Sequence, residues 1–221
     1  MRARPVETAS MLPSAVTGPL GDLRFRALVG DSDWHSLPAA IRRRFSKRLA
    51  AGDTAVYAGT ITQTRMSRAG WLLAQAARII GGPLPLHCEP NVASVVTVTE
   101  DGASGGQVWT RLYARRRGFP QMIHSAKRFS GPTGLEEHVG RGISMALRVA
   151  VKDGALEFRS AGYFVQLLGR RIALPAWASP GALLVTHAET GAGRFRFTLS
   201  VTHPRLGVLI EQTAEFQESA S

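Results

Sequence analysis

Ile143-Ser144-Met145-Ala146-Leu147-Arg148-Val149-Ala150-Val151-Lys152, followed by Asp153-Gly154, is the stretch that decides the fold. Ile143, Met145, Leu147, Val149 and Val151 alternate with small or polar residues. A period of two sends one set of side chains to a core and the other to water. Asp-Gly then marks a hairpin, because both central positions of its turn need positive φ. The pattern continues downstream, with strands expected over residues 155–165, 183–189, 194–203 and 207–217. In the fourth of these five strands Phe195, Phe197, Leu199 and Val201 alternate with Arg194, Arg196, Thr198, Ser200 and Thr202.

Upstream, residues 92–100 and 107–116 form a hairpin across Asp101-Gly102 to Gly106, and residues 121–130 follow the Gly118-Phe119-Pro120 turn. Residues 53–64 read as a strand with Ala55, Tyr57, Gly59 and Ile61 on one face. Residues 131–142 read as a polar, glycine-rich connection. Two helices interrupt the strands. In the first, Leu37, Ile41, Phe45 and Leu49 recur every four residues behind Ser36 and Pro38. The second runs over about residues 67–80, with Leu72, Leu73, Ala76, Ile79 and Ile80 as an apolar face packed on the sheet. Residues 23–29 suit a further short helix.

The expected fold class is α+β: a strongly curved antiparallel sheet or partial β-barrel of about eight to nine strands, with two to three N-terminal helices packed on it. Residues 1–20 and 219–221 read as tails and 21–218 as a single domain.

The chain has 221 residues, 44% of them apolar, and a single cysteine, Cys88, so it forms no internal disulfide. That usage, with no secretory signal and no transmembrane segment in the sequence, leads to an expectation of a cytoplasmic protein. Net charge is +11, yet only three of the 27 basic residues are lysines (Lys47, Lys127, Lys152). Arginine bias of that kind fits base composition as well as it fits an anionic partner. Arg42, Arg43, Arg44, Lys47 and Arg48 form the main basic cluster, on the outer face of the first helix, and Arg115-Arg116-Arg117 a second.

Trp109, Arg111 and Tyr113 share one face of one strand. A guanidinium among aromatics suits a carboxylate or phosphate, but it also suits a structural clamp or a solvated face. If buried, Arg111 needs a carboxylate, for which Glu136 and Glu137 are the candidates. His203 stands in phase with Phe195 to Val201 at a strand end. The six histidines and one cysteine show no metal-ligand spacing, and no nucleophile or phosphate-loop motif stands out.

Several of these stretches resemble a bacterial domain-of-unknown-function family, numbered 4166. They are Phe25-Arg26-Ala27-Leu28 with Leu37-Pro38-Ala39-Ala40-Ile41-Arg42; Trp109-x-Arg111; Gly154-Ala155-Leu156-x-Phe158; Leu174-Pro175; and Arg194-Phe195-x-Phe197 with His203-Pro204-x-x-Gly207. The resemblance spans most of the chain after residue 20. It implies a domain found alone or beside NAD(P)-binding proteins similar to saccharopine dehydrogenases, so an NAD(P)-dependent oxidoreductase partner. It supplies no catalytic residue, and this chain has no dinucleotide fingerprint of its own.

Together these features lead to an expectation of non-catalytic binding of a hydrophobic or lipid-like small molecule in a sheet-enclosed pocket. Trp109, Arg111, Tyr113, Glu137 and His203 are the ligand-site candidates, and no cofactor or metal is expected. The alternatives are docking onto an NAD(P)-dependent oxidoreductase, and peripheral binding to an anionic membrane through the basic helix, with nucleic acid the less favoured partner.

Overall fold

In the computed structural model, which describes residues 21–49 and 52–218, the strands close on themselves. They are β1 (Thr54–Met66), β2 (Val92–Asp101), β3 (Gly106–Tyr113), β4 (Gln121–Arg128), β5 (Glu136–Gly140), β6 (Ile143–Lys152), β7 (Ala155–Leu167), β8 (Arg170–Ala173), β9 (Ala182–Gly191), β10 (Arg194–His203) and β11 (Gly207–Glu218). Ten of them form a ring in the order β6-β5-β4-β3-β2-β1-β11-β10-β9-β7, and β7 pairs back onto β6. An even number lets every neighbouring pair be antiparallel, and each is. The tails assigned to residues 1–20 and 219–221 lie outside the described residues.

The decisive hairpin forms as its sequence demands. β6 spans Ile143–Lys152, and Asp153 and Gly154 take φ of 50° and 72°. Two expectations need correction. The fold is mostly β rather than α+β, and the sheet is a closed barrel rather than an open or partial one. The ring also recruits a strand, β5, from the region read as a loop. Its inward residues are Glu137 and Val139, one charged and one apolar, so the apolar alternation that announces the other strands is missing there.

The eleventh strand, β8, lies outside the ring. It pairs with the far half of β7, from Phe164↔Ala173 to Leu167↔Arg170. β9 takes the near half, from Leu156↔His187 to Arg159↔Leu184. β8 and β9 are thus one broken strand, and residues 174–181 leave the ring between them.

Three short helices close one end: α1 (Arg24–Val29), α2 (Asp31–Ser36) and α3 (Ala39–Phe45). Their Phe25, Trp34, Leu37, Ile41 and Phe45 pack on Leu147, Leu156 and Phe158 of the barrel. Phe25 meets the rings of Phe45 and Phe129 edge-on, with centroids 5.1 and 5.0 Å away. Leu37, Ile41 and Phe45 form the expected apolar stripe, but the helix that carries it is shorter than expected. Pro38 drives Leu37 into extended backbone (φ −70°, ψ 145°), so α2 and α3 are separate, and Lys47 pairs instead with Gly21 in an isolated bridge.

The other end is crossed by α4 (Arg68–Ala77) and a 3-10 turn over Arg78–Ile80. Ser67 caps α4 by accepting a hydrogen bond from the Gly70 amide, 3.1 Å. Only part of the expected apolar face is turned to the barrel: Leu73, Ala76 and Ile80 border its interior, whereas Leu72 and Ile79 are exposed. The residues buried in the helix are Gly70, Ala74 and Ala77. The helix lies so close to β11 that a Cβ on Gly70 would collide with the Leu209 carbonyl. At its far end the Ile80 carbonyl occupies the space a Cβ on Gly140 would need. The segment is therefore a strap from β11 across to β5. Gln121 on β4 then ties down the returning chain, donating to the Leu84 carbonyl and accepting from the Leu86 amide.

Gly70→Ala should lower unfolding stability by about 1–3 kcal/mol in urea titration, although alanine is the better helix former. Gly102→Ala, whose Cβ would meet nothing within 4 Å, should be close to neutral.

Candidate functional site

The register of three strands assembles the site. β3 turns Gln107, Trp109, Arg111 and Tyr113 into the barrel. Trp109 stands opposite Ser125, and Gln107 opposite Lys127, on β4. Lys127 stands opposite Glu137 on β5. Arg111, Ser125, Lys127 and Glu137 therefore meet on the inner wall. Ser125 Oγ donates to Glu137 Oε1 at 2.6 Å, and Arg111 Nη1 donates to Ser125 Oγ at 3.1 Å. Lys127 Nζ is 3.2 Å and Arg111 Nη2 3.6 Å from the same carboxylate oxygen. Trp109 flanks both cations, its ring centroid 4.8 Å from Lys127 Nζ and 5.9 Å from the Arg111 guanidinium carbon.

Side-chain exposure in the cluster is low: 13% for Arg111, 8% for Lys127 and 9% for Glu137. Burial pulls the Lys127 ammonium below its usual range, against the opposing pull of Glu137. Burial alone would raise Glu137, but Lys127, Arg111 and the Ser125 hydroxyl together hold it at about 2. The carboxylate stays ionised, and two cations share it.

These groups border a cavity of about 400 Å³ in the half of the barrel beneath the strap. Its wall is otherwise mostly apolar, with Ile123, Met145, Phe158, Leu183 and Phe197 among the lining residues. Leu73 and Ile80 of the strap bound it above, and Leu174 with Ala178 to Pro180 bound it at the break between β8 and β9. The helix-capped half is nearly filled, leaving about 40 Å³. Among the described residues, no group of three or more His, Cys, Asp or Glu could hold a metal ion.

Trp109, Arg111 and Glu137 come together; of the two carboxylates considered for Arg111, Glu137 is the one it meets, whereas Glu136 pairs with Arg171. Tyr113 shares the wall, but its hydroxyl donates to Gln212 Oε1 at 3.1 Å, and Gln212 in turn donates to Thr64 Oγ1 at 3.0 Å. His203 does not join them. It sits at the end of β10, where its Nδ1 lies 3.2 Å from the Arg205 amide.

The basic cluster also disperses. Arg43 and Arg48 are exposed, Lys47 is paired with Glu218, and Arg44 turns inward. Arg44 donates to Glu189 Oε2 at 2.6 Å and to His187 Nε2 at 3.1 Å, with its guanidinium 4.2 Å over Phe195. His187 stacks on Phe195 at 4.3 Å, and burial, then Arg44, depress its pKa to about 3. The one-sided helix expected from residues 42–48 is therefore not an anionic-surface face as a unit, because Arg44 is claimed by partners on a strand far along the chain.

Ser125 and Lys127 were not among the site residues expected from the sequence. Both had a signal: Ile123, Ser125 and Lys127 alternate on the strand next to Trp-x-Arg-x-Tyr, and pairing those strands puts Lys127 beside the aromatic face.

The model of a family described as a domain of unknown function (DUF4166) matches residues 37–216. The Phe25 to Leu28 motif lies ahead of the matched residues. No curated protein and no solved structure matches the chain.

The cluster predicts an asymmetry. Glu137→Gln strands two buried cations and should cost about 3–5 kcal/mol, whereas Lys127→Met leaves a balanced Arg111–Glu137 pair and should cost about 1 kcal/mol or less in the same titration. His187 predicts a pH slope. Its folded pKa lies below the unfolded value, so the unfolded chain binds the extra proton, and stability should fall as pH drops from about 6.5 toward 3. For one proton the slope is about 1.4 kcal/mol per pH unit. Between pH 6.5 and 5, above the Glu137 window, His187→Phe should make it shallower, leaving the contributions of His87 and His138, whose pKa values burial also lowers.

Proposed function

The chain belongs to the DUF4166 family, and from the barrel it folds into we propose that it binds one amphipathic small molecule, hydrocarbon body in the cavity and anionic end on Lys127 and Arg111. One observation carries the reading. Two buried cations share one carboxylate on the wall of an apolar cavity, so the cluster has room for a second anion. An anionic group bound there would offset the burial that depresses Lys127.

Other features agree with this. A cavity of about 400 Å³ falls within the range usual for small ligands, whose pockets are mostly apolar with a few placed polar groups. Trp109 and Ser125 hold the cationic ends in position, so little ordering is left to ligand binding. A fatty acid is the simplest molecule with this chemistry. Docking onto an NAD(P)-dependent oxidoreductase remains a second proposal, resting on the family resemblance alone. Peripheral binding through Arg42, Arg43, Arg44, Lys47 and Arg48 is weakened by the inward turn of Arg44 and the pairing of Lys47.

Decanoate and its methyl ester separate the charge from the chain. In calorimetric titration the protein should bind the acid about tenfold or more tightly than the ester, the value of a charged hydrogen bond. Lys127→Met should shrink that preference by about tenfold. Equal binding of acid and ester by the unmutated protein, or binding of neither, would overturn the proposal.

A further inference from the structure

The two ends of the barrel differ in chemistry. At the end capped by α1–α3 the strand-joining turns are Gly102-Ala103-Ser104-Gly105, Ser130-Gly131-Pro132-Thr133-Gly134, Asp153-Gly154 and Ala192-Gly193. None of these exposes a large apolar residue: Phe129 and Leu135, which flank the second, pack into the core, and of the helix segment Leu23, just ahead of α1, is exposed. At the cavity end the loops carry Leu168, Phe119, Trp177, Ile79 and Leu206, which are 94, 92, 84, 70 and 59% exposed. The order of the strands places all five at one end. Residues 78–80 end the strap that joins β1 to β2, 114–120 join β3 to β4, 168–169 join β7 to β8, 174–181 join β8 to β9, and 204–206 join β10 to β11.

Leu168 is the most telling of them. The Leu168-Gly169 turn has φ of 50° and 76°, much the same as Asp153-Gly154 at the opposite end. Asp, Asn or Gly enters that conformation easily, whereas leucine is a steric outlier there. Here the leucine is nearly all in water, so no burial within the chain offsets its strain.

Charge points the same way. Arg116, Arg117, Arg141, Arg170 and Arg205 are exposed on the cavity-end segments. Across residues 67–91, 114–120, 141–142, 168–181 and 204–206 the only acidic residue is Glu89. Its carboxylate accepts from the Arg116 amide at 2.8 Å.

We infer that this end of the barrel docks on the surface of an anionic lipid bilayer, with the arginines on headgroups and the apolar loop tips between them. Each arginine near such a surface contributes favourably, and Trp and Leu at loop tips suit the boundary between headgroup and acyl chain. Nucleic acid would reward the arginines but gives Leu168, Ile79 and Leu206 nothing to enter. The docking stands on the surface alone. Its consequence, that the ligand passes between bilayer and cavity, rests on the pocket proposed above, because Ile80, Leu174 and Ala178 to Pro180 belong both to this end and to the cavity wall.

Co-sedimentation with vesicles tests it. The protein should bind vesicles of phosphatidylcholine with phosphatidylglycerol and leave vesicles of phosphatidylcholine alone. Arg116→Glu with Arg117→Glu should weaken binding by about tenfold or more. Leu168→Asn with Trp177→Ser should weaken it similarly, with a melting temperature unchanged or raised because asparagine suits the turn. Arg42→Glu with Arg43→Glu, at the opposite end, should change nothing. Lys127→Met should bind vesicles normally while losing its preference for decanoate, which separates failure of the surface from failure of the pocket. No binding to the anionic vesicles at low salt, equal loss with the Arg42 and Arg43 variant, or binding to duplex DNA in place of vesicles would overturn the inference.

Discussion

The antiparallel pairing of Thr54–Met66 with Gly207–Glu218 joins the first and last strands of the described residues, and this closure turns a sheet into a container. Without it the meander would expose two edges and admit water along the inner face. With it, inward side chains have only one another as partners. Burying a charge there is costly unless it is paired, which is why Arg111 and Lys127 converge on Glu137 and why Arg44 reaches Glu189 and His187. The strap and the N-terminal helices then differ in what they do to the ends. The helices fill theirs with aromatic rings. The strap, carried on Gly70 and Ala74 against β11, leaves a cavity beneath it.

That constraint also separates what the sequence makes legible from what it hides. Local features were readable. The Asp153-Gly154 hairpin and the bounds of β6 and β10 follow from periodicity and turn chemistry, which act over a few residues. That Trp109, Arg111 and Tyr113 share a face was readable, and the cost of a lone buried arginine named Glu136 and Glu137 as partners, but whether that face turns inward, and which carboxylate it meets, was not. Closure was not readable, because no local pattern says that β1 meets β11 across most of the chain. β5 was hidden because it is short and one of its two inward residues, Glu137, is charged, and β8 because its four residues are all exposed and so carry no periodicity. Arg44 looked like part of a solvated helix face because its partners lie more than 140 residues away.

The helix that misled most is instructive. In α4 the large residues drew the expectation that they would pack on the sheet. Backbone proximity to Leu209 instead admits only Gly70, Ala74 and Ala77, and this displaces Leu73 and Ile80 to the cavity and Leu72 and Ile79 to solvent. A glycine-alanine face allowing close approach is thus what frees apolar side chains for the mouth of the barrel. The proposed pocket and the proposed membrane contact both draw on that one feature. They remain physically separate, since Lys127 and Arg111 lie inside the wall and Leu168 and Arg116 outside it.

Whether the closed barrel holds one amphiphile is read by native mass spectrometry, set against the denatured mass, on protein as isolated and again after exposure to a total lipid extract. One amphiphile per barrel gives a single dominant species heavier than the bare chain by one molecule of roughly a few hundred daltons, released on denaturation and identified as an anionic amphiphile. The bare-chain mass in both preparations would mean that the barrel holds no such ligand.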